Sequence, residues 1–98
     1  MALFAVIYGY VDDDEFVSTH RPEHRSYLRG LADAGELVVA GPFGGPGTPG
    51  GLLVLDVASS ERAAEIADND PFYLRGVIAD RSVRSWTLSM NPERLTQP

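Results

Sequence analysis

Hydrophobic positions along this chain change rhythm several times, and each change marks an element. From residue 3 to residue 10 apolar and aromatic side chains run almost unbroken. Phe4, Val6, Tyr8 and Tyr10 point one way on a pleated strand, and Leu3, Ala5, Ile7 and Gly9 the other. Two largely apolar faces predict a central strand covered on both sides. The acidic run Asp12, Asp13, Asp14 and Glu15 then reads as a solvated turn. Over residues 21–34 the period becomes helical: His24, Leu28 and Leu31 recur at i, i+4 and i+7, with Tyr27 and Ala34 beside them. Glu23, Arg25, Arg29 and Asp33 take the polar side. Pro22 suits a first turn, which places His20 before the helix, and Gly35 supplies a stop.

Residues 36–43 predict a second strand through Leu37, Val38, Val39 and Ala40, and residues 52–57 a third, joined by a Gly/Pro-rich loop over 44–51. Ser59 or Ser60 caps a second helix, whose narrow apolar face is Ala63, Ile66 and Ala67, with Glu61 in its first turn. Pro71 bars its continuation and pushes Asp70 toward an extended backbone. Residues 72–78 read as a connector, and residues 81–89 as the last strand, through Val83, Trp86 and Leu88. A loose tail over 90–98 follows. The order βαββαβ is the ferredoxin-like split pattern, an α+β fold with two helices on one face of a four-stranded antiparallel sheet. The second apolar face of the first strand asks for cover, which a second copy of the chain can supply.

Ninety-eight residues make one domain, with a core over about 3–89. The net charge is −6, with fourteen acidic and eight basic residues and no Lys, so neither nucleic acid nor an anionic membrane is an expected partner. The absence of Cys removes thiol chemistry and disulfides, and fits a cytoplasmic location. The apolar N-terminal stretch is too short for a signal core or a membrane span and has no basic flank.

The motifs resemble those of the YciI-like (YCII-related) family. Arg21, Pro22, Glu23 and His24 followed by Leu28 resemble the helix signature Arg-Pro-x-His-x-x-x-Leu. The run from Gly35 through Leu37 to Ala40, Gly41 and Pro42 resembles the strand Gly-x-Leu-x-x-Ala-Gly-Pro. Ser60, Glu61, Arg62 and Ala63, leading to Asp70, Pro71 and Phe72, resemble the second helix and its closing Asp-Pro-aromatic; Gly76, Val77 and the aromatic Trp86 agree as well. The resemblance implies a ferredoxin-like homodimer of the dimeric α+β barrel type, with a His and an Asp near one cleft, here His24 and Asp70. One branch of the family is similar to dehydrochlorinases acting on chlorinated hydroxyhydroquinones.

In the predicted first turn, the helix dipole disfavours imidazolium at His24 and leaves a neutral ring able to accept a proton. Asp70 can hold the other ring nitrogen and favours the charged form after transfer, so the two effects oppose. Each residue also has a plain structural reading, as a satisfied buried histidine and as Asp-Pro turn chemistry. His20 and His24 share an H-x-x-x-H spacing, yet Pro22 interrupts it and no metal is expected. Residues 45–50 match G-x-G-x-x-G, but a strand follows rather than a helix, so no nucleotide cofactor is implied. Tyr8, Phe43, Phe72, Tyr73 and Trp86 can line an apolar pocket or simply pack, and Arg21 or Arg84 can meet a carboxylate or phenolate.

The reading that follows is a cofactor-independent enzyme of the lyase or isomerase kind. His24 and Asp70 transfer a proton on a small phenolic, enolic or lactone-like molecule, and Arg21, Phe43, Phe72 and Trp86 bind it. The competing reading is a non-catalytic ligand-binding or interaction module. His24 and Asp70 meeting at an open pocket favours the first; both sealed in packing, or facing solvent apart, favours the second.

Overall fold

A computed structural model describes residues 2–96. Met1, with Gln97 and Pro98 at the end of the expected tail, lies outside the described residues. The elements run β1 (Leu3–Tyr10), α1 (Asp14–Asp33), β2 (Leu37–Pro42), β3 (Gly50–Asp56), α2 (Ser60–Asp68), α3 (Pro71–Leu74), β4 (Ile78–Ser85) and α4 (Glu93–Thr96). The sheet order is β2-β3-β1-β4, antiparallel throughout. This is the α+β ferredoxin-like arrangement.

The buried layer lies between the helices and one face of the sheet. Phe4, Val6, Tyr8 and Tyr10 of β1 and Leu53 and Leu55 of β3 supply the sheet side. Val17 and Leu31 of α1, Ala63, Ile66 and Ala67 of α2, and Phe72 and Val77 close it from above. Gly50 is needed where β3 passes β1, because a Cβ there would collide with the carbonyl oxygen of Tyr8. Arg62 of α2 donates two hydrogen bonds to Glu36, at 2.8 and 2.7 Å, and so ties that helix to the entrance of β2.

Several boundaries differ from the sequence expectation; β3, for one, begins at Gly50, inside the expected loop, because Gly50 and Gly51 pair with Gly9 and Tyr8 of β1. Helix α1 starts at Asp14, not near residue 21, and runs through Pro22. The acidic run is its cap: the Asp13 carboxylate accepts from the Phe16 N–H at 3.1 Å, and Asp14 and Glu15 sit in the first turn, where negative charge suits the helix dipole. The far end stops as expected at Gly35, with φ of 80°. There the Gly35 N–H donates to the Ala32 carbonyl at 3.0 Å and the Glu36 N–H to that of Leu31 at 2.9 Å.

The last strand is Ile78–Ser85 instead of 81–89. Its neighbour β1 sets both limits: Tyr10 pairs with Ile78 at one end and Phe4 with Ser85 at the other. After the Trp86 N–H has donated to the Leu3 carbonyl at 2.9 Å, β1 ends, and the ladder cannot continue. The expected connector over 72–78 opens with the short helix α3, and the expected loose tail contains the helical turn α4. No helix of the described residues is long and apolar enough to cross a membrane.

Candidate functional site

Asp70 holds the site together. It precedes Pro71 in an extended conformation, with φ of −64° and ψ of 128°, and caps α3. Its carboxylate is completely buried and accepts three hydrogen bonds. The Phe72 N–H donates to Oδ1 at 3.0 Å, the Tyr8 hydroxyl donates to Oδ2 at 2.9 Å, and His24 Nδ1 lies 2.7 Å from Oδ1. An ionised carboxylate can only accept hydrogen bonds, so the Nδ1–H donates to Asp70 and Nδ1 is the nitrogen that carries hydrogen.

His24 comes from the middle of α1, on the stripe shared by Val17 and Leu31. The expectation that it lies in the first turn fails, because the helix begins at Asp14, and the argument from the helix dipole fails with it. What governs the ring is Asp70 and packing. The imidazole stacks flat on Phe72, with centroids 3.9 Å apart and planes 2° from parallel. Phe72 is itself fully buried and meets Tyr10 edge-on at 5.3 Å. The ring is thus fixed by a hydrogen bond at one nitrogen and a flat neighbour along one face. Among the described residues Nε2 has no hydrogen-bond partner, and it is not sealed from solvent.

That free nitrogen belongs to a residue lining a cleft of about 210 Å³, walled by Tyr10, Arg21, His24, Arg25, Leu28, Ala40, Gly41, Pro42 and Leu53. The space lies between α1 and the β2–β3 side of the sheet. A neighbouring cleft of about 320 Å³ shares Tyr10, Arg21 and Pro42 and adds Phe43. The volume suits a single substituted ring, since a cavity of about 150 Å³ holds benzene. Burial keeps the Tyr8 phenol protonated far beyond the usual tyrosine range, helped by the adjacent Asp70 charge. Burial also raises Tyr10. Both phenols therefore stay hydrogen-bond donors throughout the neutral range.

The structure brings together most, but not all, of the residues singled out from the sequence. His24 and Asp70 meet directly, although 46 positions separate them. Arg21 lines both clefts, with its guanidinium carbon 5.9 Å from the centroid of the Phe72 ring. Phe72 stands behind the imidazole instead of in the cleft. Phe43 is half exposed on the rim of the neighbouring cleft. Trp86 is elsewhere: with Ala5, Ile7, Leu52 and Arg84 it lines the opposite face of the sheet. Arg84 is on that face too, away from His24.

His20 lies inside α1, where its Nδ1 is 2.8 Å from Glu23 Oε1, so it does not join the site. The hydrogen bond from His20, followed by that from Arg75, holds the Glu23 carboxyl below its usual range. Among the described residues no three His, Cys, Asp or Glu side chains converge as a metal group would require. The sequence reading missed the bond from Tyr8 to Asp70 and the presence of Tyr10 and Arg25 at the cleft. One signal was available: Tyr8 lies on the strand face shared with Phe4 and Val6, and a buried phenol needs a partner.

Residues 2–87 match the YCII-related domain. No curated protein matches the chain. Among solved structures, the chain is similar in fold to 5-chloro-2-hydroxyhydroquinone dehydrochlorinase from Burkholderia phenoliruptrix AC1100, in complex with 2,5-dihydroxybenzoquinone. The TM-score is 0.79 at 23% identity, over 89% of this chain and 95% of that one.

Proposed function

The chain belongs to the YCII-related domain family, and on that premise we propose that it is a small cofactor-independent enzyme whose His24 transfers protons under the control of Asp70. One observation carries the reading: Asp70 occupies Nδ1 at 2.7 Å while the same imidazole lines the cleft. A proton held on Nδ1 leaves the Nε2 lone pair as the acceptor, and the carboxylate stabilises the imidazolium that forms. Phe72 and the hydrogen bonds from Tyr8 and the Phe72 N–H keep acid, ring and cleft in register.

The substrate is a small phenolic, enolic or lactone-like molecule. Nε2 takes a proton from an O–H or acidic C–H, and the electron pair of that bond forms a new C=O or C=C. In an elimination the displaced pair leaves with chloride, as in a dehydrochlorination; in an isomerisation the imidazolium returns the proton at another carbon. The fold likeness to a dehydrochlorinase supports the elimination branch. A cleft of about 210 Å³ agrees with a single ring.

The domain spans the whole chain, acts in the cytoplasm and works as a homodimer without nucleic acid, membrane or metal. Support for the dimer is the second face of the sheet, where Ile7, Val39 and Trp86 are exposed beside Ala5 and Leu52. A second copy of that face is its natural cover.

The test is turnover of chlorinated and unchlorinated hydroxyhydroquinones, enols and lactones, followed by chloride release and absorbance, with wild type and His24→Gln compared. At least one substrate should be turned over by wild type, and the variant should lose about a hundredfold or more in kcat while keeping its circular dichroism. A folded His24→Gln with undiminished turnover contradicts the proposal.

A further inference from the structure

The eight basic residues of this acidic chain are all Arg, and among the described residues only three of them are in ion pairs. Arg62, Arg75 and Arg81 are in ion pairs with Glu36 and Glu65, with Glu23, and with Asp68. Arg21 and Arg25, like Arg29, Arg84 and Arg94, make no ion pair among the described residues, although acidic residues outnumber basic ones by fourteen to eight. They lie one turn apart on α1, a spacing at which like charges repel. Neither has Asp or Glu three or four positions away on the helix to relieve that repulsion. Glu23, the nearest carboxylate in sequence, is engaged by His20 and Arg75. Asp14 shares the neighbouring cleft with Arg21 but forms no ion pair with it.

Both of these arginines line the cleft that holds His24. Arg21 is half-buried, with its guanidinium over Phe72, and Arg25 is exposed at the rim. The rest of the wall is mostly apolar: Leu28, Ala40, Pro42 and Leu53. We infer that the ligand of this cleft is an anion, a carboxylate or an acidic phenolate or enolate on a single ring, whose charged group is held between Arg21 and Arg25 while its ring lies on the apolar wall beside His24. The guanidinium fork matches a carboxylate or a pair of enolic oxygens. Placing the charge at the rim also orients the ring, so that its reacting proton faces Nε2. This inference rests on the proposed proton-transfer site for its location, but it concerns binding and is read without turnover.

The experiment compares two isosteric probes, benzoate and benzamide, by NMR titration of the ¹⁵N-labelled protein. Wild type, Arg21→Gln, Arg25→Gln and His24→Gln are each titrated at low and at high salt. Benzoate should bind wild type about tenfold tighter than benzamide, and high salt should shrink that ratio. Each Arg variant should lower the ratio to about threefold or less with benzamide affinity unchanged. Arg25 is exposed, so Arg25→Gln tests the idea even if Arg21→Gln disturbs packing on Phe72. His24→Gln should keep the preference for benzoate, which separates anion binding from proton transfer. Equal binding of the two probes by wild type overturns the inference, as does a preference that survives Arg25→Gln. Either result leaves the proton-transfer proposal standing on its turnover test.

Discussion

Replacing Asp70 by Ala removes, in one step, the acceptor of three buried donors: the Phe72 N–H, the Tyr8 hydroxyl and His24 Nδ1. The Phe72 N–H is a helix-cap interaction, whose loss costs about 1 kcal/mol. The other two donors cost about 1–3 kcal/mol each when left unsatisfied, toward the lower end for His24 because its ring borders a cleft that water can enter. The total is about 4 kcal/mol, a large share of the ~5–15 kcal/mol that holds such a domain together. In urea, with a slope of about 1.5 kcal/mol per molar, the unfolding midpoint should fall by roughly 3 M. Asp70→Asn behaves differently. Its amide oxygen can keep the Phe72 and His24 bonds, and its NH₂ can donate to the Tyr8 oxygen, so it should lose only about 1 kcal/mol. Urea unfolding of both variants, followed by far-ultraviolet circular dichroism, measures the difference. Asp70→Ala within about 1 kcal/mol of wild type refutes the reasoning. So does Asp70→Asn as damaged as Asp70→Ala.

Tyr8 keeps its proton in the folded state above the ordinary value of 10.0, so above that pH the unfolded chain releases a proton that the native one retains, and stability falls as pH rises. Tyr8→Phe should flatten this alkaline decline by up to about 1.4 kcal/mol per pH unit, as read from urea midpoints above pH 10, at the cost of about 1 kcal/mol at neutral pH. Asp13→Ala should lower the melting temperature by about 4–8 °C through loss of a cap worth about 1 kcal/mol; an unchanged melting temperature would show that α1 does not depend on the Phe16 bond. Ile7→Asp puts a charge at the centre of the open sheet face and should convert a dimer to monomer in sedimentation velocity; sedimentation identical to wild type contradicts the proposed dimer surface.

Local signals carried the elements whose boundaries are local. Ser59 caps α2 through the Arg62 N–H, and Gly35 ends α1 with the positive φ that the stop requires. The start of α1 was obscured because Pro22 and the acidic run each fit a turn as well as a helix. Only the docking of Val17 into the core distinguishes the two. The end of β4 was not legible at all in its own residues, since it is fixed by where β1 runs out of partners. The site divides in the same way. The meeting of His24 with Asp70 was anticipated from family resemblance, not from the residues themselves, because nothing local links positions 46 apart. Trp86 reads from the sequence as one more aromatic for the cleft, yet its N–H makes the last bond to β1 and its side chain lies on the opposite face of the sheet. Arg25 was read as ordinary helix surface because exposure and cleft lining look alike in a one-dimensional pattern.

The central claim concerns which nitrogen of His24 holds hydrogen, and ¹⁵N NMR of histidine-labelled protein reads it directly. The bond from Nδ1 to Asp70 predicts the Nδ1–H tautomer, with an unprotonated Nε2 whose resonance moves when an aromatic anion is added, and a loss of that tautomer preference in Asp70→Ala. An Nε2–H tautomer in the wild type, or an Nε2 resonance indifferent to every ligand, contradicts it.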